Sequence, residues 1–181
     1  EPPPAVQMRV ENGVLFATGE PSQVWVEQAR KLTRALPGIT RLDESGLLTA
    51  ELKEQRKLRD EIQRDALLFV VGTAQWAPGQ TAALETLAGQ LNRLFALSAL
   101  TGKEVKVEIS GHTDTEGSPE FNQRLSQTRA EAVFNALVAR GLPHERLTTI
   151  GVGTTIPLRI ENSSVDKQLN RRASFRVKGL D

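Results

Sequence analysis

The chain opens with alternation. Val6, Met8 and Val10 alternate with polar residues, and Val14 and Phe16 do so again after Asn12-Gly13. Asn-Gly between two such runs predicts a hairpin, because both turn positions favour positive φ. Glu20-Pro21-Ser22 breaks the pattern and places a helix start at Pro21 or Ser22. Val24, Ala29, Leu32 and Leu36 then predict the buried stripe of an amphipathic helix, and Pro37-Gly38 stops it. Ile39, Leu42 and Leu47-Leu48 predict a third short strand. Residues 6–50 therefore read as a small ββαβ unit.

Residues 51–65 are dense in mixed charge, with only Leu52, Leu58 and Ile62 apolar. They predict a solvated connecting helix, and their apolar spacing does not hold a heptad. Ala66 to Val71 is a continuous apolar run suited to a buried central strand. From Gln80 to Leu100, Leu84, Leu87, Leu91, Leu94 and Phe95 recur at three- and four-residue steps, the mark of a long amphipathic helix. Val105, Val107 and Ile109 alternate as a strand. A helix is predicted over 122–140, with a core stripe of Phe121, Leu125, Thr128, Ala132 and Ala136 and with Asn122 and Arg129 on its border. Leu147 to Val152 reads as a strand, 153–170 as irregular, and Ala173, Phe175 and Val177 as a last strand. The second unit, 66–181, is thus β-α-β-α-β-β, and the fold class is α+β.

Composition narrows the functions. A chain of 181 residues with 39% hydrophobic content supports a packed core. A net charge of +1 gives no global field for nucleic acid, and the pair Arg171-Arg172 lacks interleaved aromatics. The absence of cysteine removes disulfides and zinc thiolates. The run Glu1-Pro2-Pro3-Pro4 reads as a stiff linker, residues 1–5, so a fragment cut from a longer protein is expected, with a targeting signal or anchor upstream.

The chemistry concentrates in Gly111-His112-Thr113-Asp114-Thr115-Glu116-Gly117. Asp114 stands in a glycine-bracketed loop ahead of a helix that carries Arg129 fifteen residues on. The two could form an internal salt bridge that pins the loop. They could equally grip the two charges of one zwitterion, since a guanidinium holds a carboxylate with paired hydrogen bonds and an aspartate holds an ammonium. Catalysis is the competing reading, with Asp114 or Glu116 as base and His112 assisting. No nucleophile–base pair supports it. His112 and His144 are the only histidines and stand at no metal-ligand spacing.

Gly111-His112-Thr113-Asp114-x-x-Gly117, then Asn122-x-x-Leu125-Ser126-x-x-Arg129-Ala130, then Gly151-x-Gly153 with Pro157, then Asn170-Arg171-Arg172, together resemble the OmpA-like C-terminal domain over about 66–178. The resemblance implies a helix/sheet sandwich, βαβαββ, without cofactor or catalysis. It implies a periplasmic domain of a membrane-anchored envelope protein, in the outer or inner membrane of a Gram-negative cell. The implied partner is peptidoglycan, bound non-covalently through the meso-diaminopimelate of its stem peptide. Asp114 and Arg129 then hold the ligand's ammonium and carboxylate, Asn122 lies beside them, and Thr115, Glu116 and Leu125 line the pocket with Arg172 as groove wall. Two departures bear on the rim: the segment 158–169 is atypical, and Lys167-Gln168 replaces the glycine-arginine pair that often precedes the Asn-Arg-Arg block. The first unit, with Val10 to Leu15, Gly19-Glu20 and Pro37-Gly38-Ile39, more faintly resembles a BON domain, which implies a lipid or protein contact. Trp25 and Trp76 are expected to be partly buried core residues rather than membrane anchors.

Overall fold

The computed structural model describes residues 2–180. It divides into two compact units, one comprising residues up to Arg56 with Leu100–Gly102, the other Lys57–Ala99 with the chain from Lys103 onward. The division falls inside a helix, α2 (Ala50–Arg64), rather than at its ends.

In the first unit, strands β1 (Val6–Glu11) and β2 (Val14–Gly19) pair antiparallel. Their turn has Asn12 at φ 49° and Gly13 at φ 75°, the geometry that the dipeptide predicts. Helix α1 (Gln23–Thr33) follows, capped by the Ser22 hydroxyl, which accepts from the Trp25 amide. It crosses over to β3 (Arg41–Leu47), which pairs parallel with β2. The stripe of α1 differs from the expectation. Gln23, Val26, Ala29 and Thr33 face inward, whereas Val24, Leu32 and Leu36 are exposed. The small core of Val6, Ala17, Val26 and Leu47, with Trp25 packed against it, leaves the other apolar row of the helix uncovered.

The second unit carries a four-stranded sheet in the order β4-β7-β5-β6. Its strands are β4 (Ala66–Leu68), β5 (Lys106–Gly111), β6 (Leu147–Gly151) and β7 (Arg172–Lys178). β5 pairs parallel with β6 and antiparallel with β7. The apolar run at 66–71 therefore forms an edge strand of three residues, not a central one. Phe69 is instead drawn into the core and bridges to Trp76, whose ring lies 5.0 Å from its own. Helix α3 (Gln80–Thr101) and helix α4 (Pro119–Val138) bury apolar residues in one cluster with Val105, Val107, Ile109, Ala173, Phe175 and Val177. Ile62 of α2 is fully buried in the same cluster, so this charged helix is anchored rather than solvated all round. The stretch expected to be irregular contains a further helix, α5 (Ser164–Asn170), capped by Ser163.

One close approach fixes α4. Gly111 and Gly151 are register partners on β5 and β6. A Cβ on Gly111 would lie 1.8 Å from the Ser126 carbonyl oxygen, and one on Gly151 would lie 2.5 Å from the Gln127 amide nitrogen. The helix rests directly on the backbone of both strands, which only glycine permits.

Candidate functional site

The site forms where β5 ends and α4 begins. Ser118 caps α4 by accepting from the Phe121 amide, and Pro119 occupies the first turn. Gly117, at φ 97°, turns the loop into the cap. The Ser126 hydroxyl accepts from the Gly153 amide at 2.9 Å, and the Thr113 amide donates to the Gly153 carbonyl at 3.0 Å. The loop of Asp114 is thereby tied both to α4 and to the end of β6.

Arg129 is not at the border of a stripe but at its centre, fully buried. The inward face of α4 is Asn122, Ser126, Arg129, Ala130, Val133 and Leu137. Phe121 and Thr128, expected inside, are exposed, and Leu125 is half-buried on the flank. The Arg129 guanidinium donates from Nε to the Thr73 carbonyl, from Nη1 to the His112 carbonyl and from Nη2 to the Val70 carbonyl, at 2.8, 2.8 and 3.2 Å. It lies 5.2 Å from the centre of the Phe69 ring. Burial pushes its pKa down to about 10; the Asp114 carboxylate opposes the fall and Arg171 adds to it. Two of its five N–H groups remain free of these bonds.

Asp114 is buried; Arg171 Nη1 donates to its Oδ2 at 2.8 Å and the Glu116 amide donates to its Oδ1 at 3.2 Å. Arg171 Nη2 is held by the Gln168 side chain at 2.9 Å. Arg172, expected in the groove wall, goes elsewhere. Ala173, Phe175 and Val177 face the helices, so Arg172 and Ser174 project to the opposite face of the sheet. There Arg172 donates to the Ile156 carbonyl, next to His112. Both His112 ring nitrogens are engaged, with Ile156 O at 3.2 Å and Ser174 Oγ at 2.7 Å. Burial, with Arg172 nearby, lowers its pKa to about 4.

The rim is laced by charge. Thr115 donates from its amide and hydroxyl to Glu161. Burial would raise the Glu161 carboxyl, but bonds from Thr115 and Asn170 outweigh it and hold the pKa below its ordinary value. Glu116 does not stand as a free second acid. Lys167 Nζ lies 2.7 Å from it, which lowers the Glu116 pKa and raises that of Lys167.

Buried side-chain atoms without a partner gather here. Among the described residues they include Thr113 Oγ1, Asn122 Oδ1 and Arg171 Nε. Such atoms are costly unless something satisfies them. Glu161 is named by no motif; Lys167-Gln168 stand out in the sequence only as a departure at the rim, and Arg171 only as part of the Asn-Arg-Arg block. For Arg171 a signal existed: with Ala173 and Phe175 facing the core, alternation puts Arg171, not Arg172, on the side of α4.

Comparisons with known proteins agree with this architecture. Outer membrane protein P5 of Haemophilus influenzae is 31% identical over 105 residues, covering 58% of this chain and 27% of P5. Outer membrane protein A of Escherichia fergusonii is 32% identical over 123 residues, 63% of this chain and 48% of that protein. The chain thus spans half or less of these curated relatives. The crystal structure of the peptidoglycan-associated lipoprotein from Burkholderia pseudomallei matches with a TM-score of 0.55 at 24% identity, over 64% of this chain and 91% of that one. The C-terminal domain of Helicobacter pylori MotB matches at 0.54 and 21%, over 62% and 83%. At such identities these two likenesses concern the fold. The model of the OmpA family matches residues 68–171, more than half of the sequence, and the chain belongs to the OmpA family.

Proposed function

We propose that the second unit binds peptidoglycan non-covalently, through the diaminopimelate of the stem peptide, and tethers a membrane-anchored envelope protein to the cell wall from the periplasm. The observation that carries this reading is the set of unpartnered buried atoms around Asp114, which mixes acceptor and donors. A carbon bearing both an ammonium and a carboxylate supplies both complements. Its ammonium meets Asp114 and Asn122 Oδ1. Its carboxylate meets Arg171 Nε and the two N–H groups that Arg129 retains. The names of relatives such as the peptidoglycan-associated lipoprotein point the same way.

Isolated diaminopimelate-type peptidoglycan should sediment the protein. Asp114→Asn, which keeps shape and removes charge, should abolish sedimentation. Lysine-type peptidoglycan, which lacks the side-chain carboxylate, should bind weakly, and added salt should weaken the wild-type interaction. Equal sedimentation of Asp114→Asn and wild type would discard the site.

One observation favours a second contact, through the first unit. Met8, Leu32 and Leu36 are exposed and line an apolar groove with Trp25. A lipid or partner-protein contact fits that groove. Flotation with liposomes should decline in Leu32→Glu if the contact is lipid; identical flotation of the variant would exclude lipid as the occupant of this face.

A further inference from the structure

Three consecutive residues of the site loop are each engaged by one later segment. Asp114 is held by Arg171, Thr115 by Glu161 and Glu116 by Lys167. Within this set the position of the Lys167 ammonium is distinctive. It bonds to Glu116 Oε1 at 2.7 Å and also lies within the field of the Glu161 and Asp114 carboxylates. One carboxylate is bonded to this ammonium and two more favour its charge from further off, Asp114 while itself paired with Arg171. Among the described residues the buried Asn122 Oδ1 has no partner, and it lies 3.5 Å from where a Cβ would stand on Gly117, the residue after Glu116.

An ammonium among carboxylates, beside a vacant acceptor, is the environment that the proposed ligand's own ammonium requires. Lys167 stands at one of the two positions where this chain departs from the glycine-arginine pair expected before Asn170. Its side chain is 34% exposed and that of Glu116 is 56% exposed. A pair so open to solvent is weak and exchanges readily. Among the described residues Lys167 Nζ makes this one hydrogen bond, so a modest rotation of its flexible side chain releases it.

We infer that Lys167 is an internal stand-in for the ligand ammonium: it competes for the acidic niche of Asp114, Glu116 and Glu161 and so sets the affinity of the site. The inference rests on the ligand assignment proposed above. Lys167 is a residue that weakens binding of ammonium-bearing ligands, not one that grips them.

The test uses the full chain and two probes, meso-diaminopimelic acid and its derivative acetylated on both amines. Binding is measured by calorimetry, with a thermal melt for each variant to confirm folding. Lys167→Met should bind diaminopimelic acid severalfold more tightly than wild type. It should show no such gain for the acetylated probe, which carries no ammonium. Lys167→Arg, which keeps the cation, should stay near wild type. Unchanged or weaker binding of diaminopimelic acid by a folded Lys167→Met would overturn the inference, as would an equal gain for both probes. Asp114→Asn separates the two readings. If it binds diaminopimelic acid like wild type, the ligand assignment itself fails. If it loses binding while Lys167→Met gains nothing, only the stand-in role fails.

Discussion

Helices α3 and α4 bury residues in the same cluster, but with different chemistry. The apolar inward face of α3 is Leu84, Leu87, Ala88, Leu91, Leu94, Phe95 and Leu97. The inward face of α4 is apolar only in its second half, at Ala130, Val133 and Leu137; its first half presents Asn122, Ser126 and Arg129. Helix α3 is apolar on its inward face over most of its length and polar there only in its last turn, at Ser98 and Thr101. The other gives up apolar burial over two turns to hold a polar site, and compensates with hydrogen bonds to main chain. The difference shows how a single core can be apolar along most of one helix and polar at the head of its neighbour.

Substitutions can break or sharpen this contrast. Leu91→Ala, at a fully buried position, should cost about 2–5 kcal/mol in denaturant unfolding while the folded fraction still binds peptidoglycan. Arg129→Met should cost about 3 kcal/mol, because the carbonyls of Val70, Thr73 and His112 lose their donor, and it should also lose sedimentation with peptidoglycan. A variant that unfolds early but sediments normally would make Arg129 purely structural. Acid should act on the polar end. The folded-state pKa of His112, about 4, lies below its ordinary 6.5, so between those values only the unfolded chain takes up the proton. Stability should therefore fall as pH drops through that window, by on the order of 2–3 kcal/mol. His112→Gln should flatten the slope in pH-resolved melts, most visibly above 4.5, where the carboxylates contribute less. Ser126→Ala removes the acceptor of the Gly153 amide and should cost about 1–2 kcal/mol. Ser118→Ala removes a helix cap and should cost about 1 kcal/mol, read from the thermal midpoint.

The same contrast explains what was legible in the sequence. Helix α3 could be read in register because from Leu84 to Phe95 its inward residues are its large apolar ones. In α4 the periodicity favours Phe121, Leu125 and Thr128, since a buried arginine and asparagine do not look like core, and it hides the true stripe through Val133 and Leu137. Helix α1 failed similarly: Val24, Leu32 and Leu36 look like a core row but are exposed, while Gln23 and Thr33 are inside. The hairpin at Asn12-Gly13 and the alternation of Val105 to Ile109 were plain because local geometry alone decides them. Asp114 and Arg129 were found as residues, whereas the partnership of Asp114 with Arg171 depends on which face of β7 turns inward. The clasp of Glu161 and Lys167 spans about fifty residues of sequence, and nothing local announces it.

The paired glycines under α4 have a consequence for how such a domain can diversify. A single-base change in a glycine codon introduces at least a methyl group, and at Gly111 or Gly151 that group meets the helix backbone. Those positions offer almost no mutational routes, and the placement of Asp114 and Arg129 is inherited with them. The segment 158–169 is free of that restriction: Leu158, Ile160 and Val165 are exposed, and its contacts to the loop are side-chain contacts. Under the proposed function, new preferences for one cell wall over another have room to arise there, by exchanging residues such as Lys167, while Asp114 and Arg129 beneath stay in place.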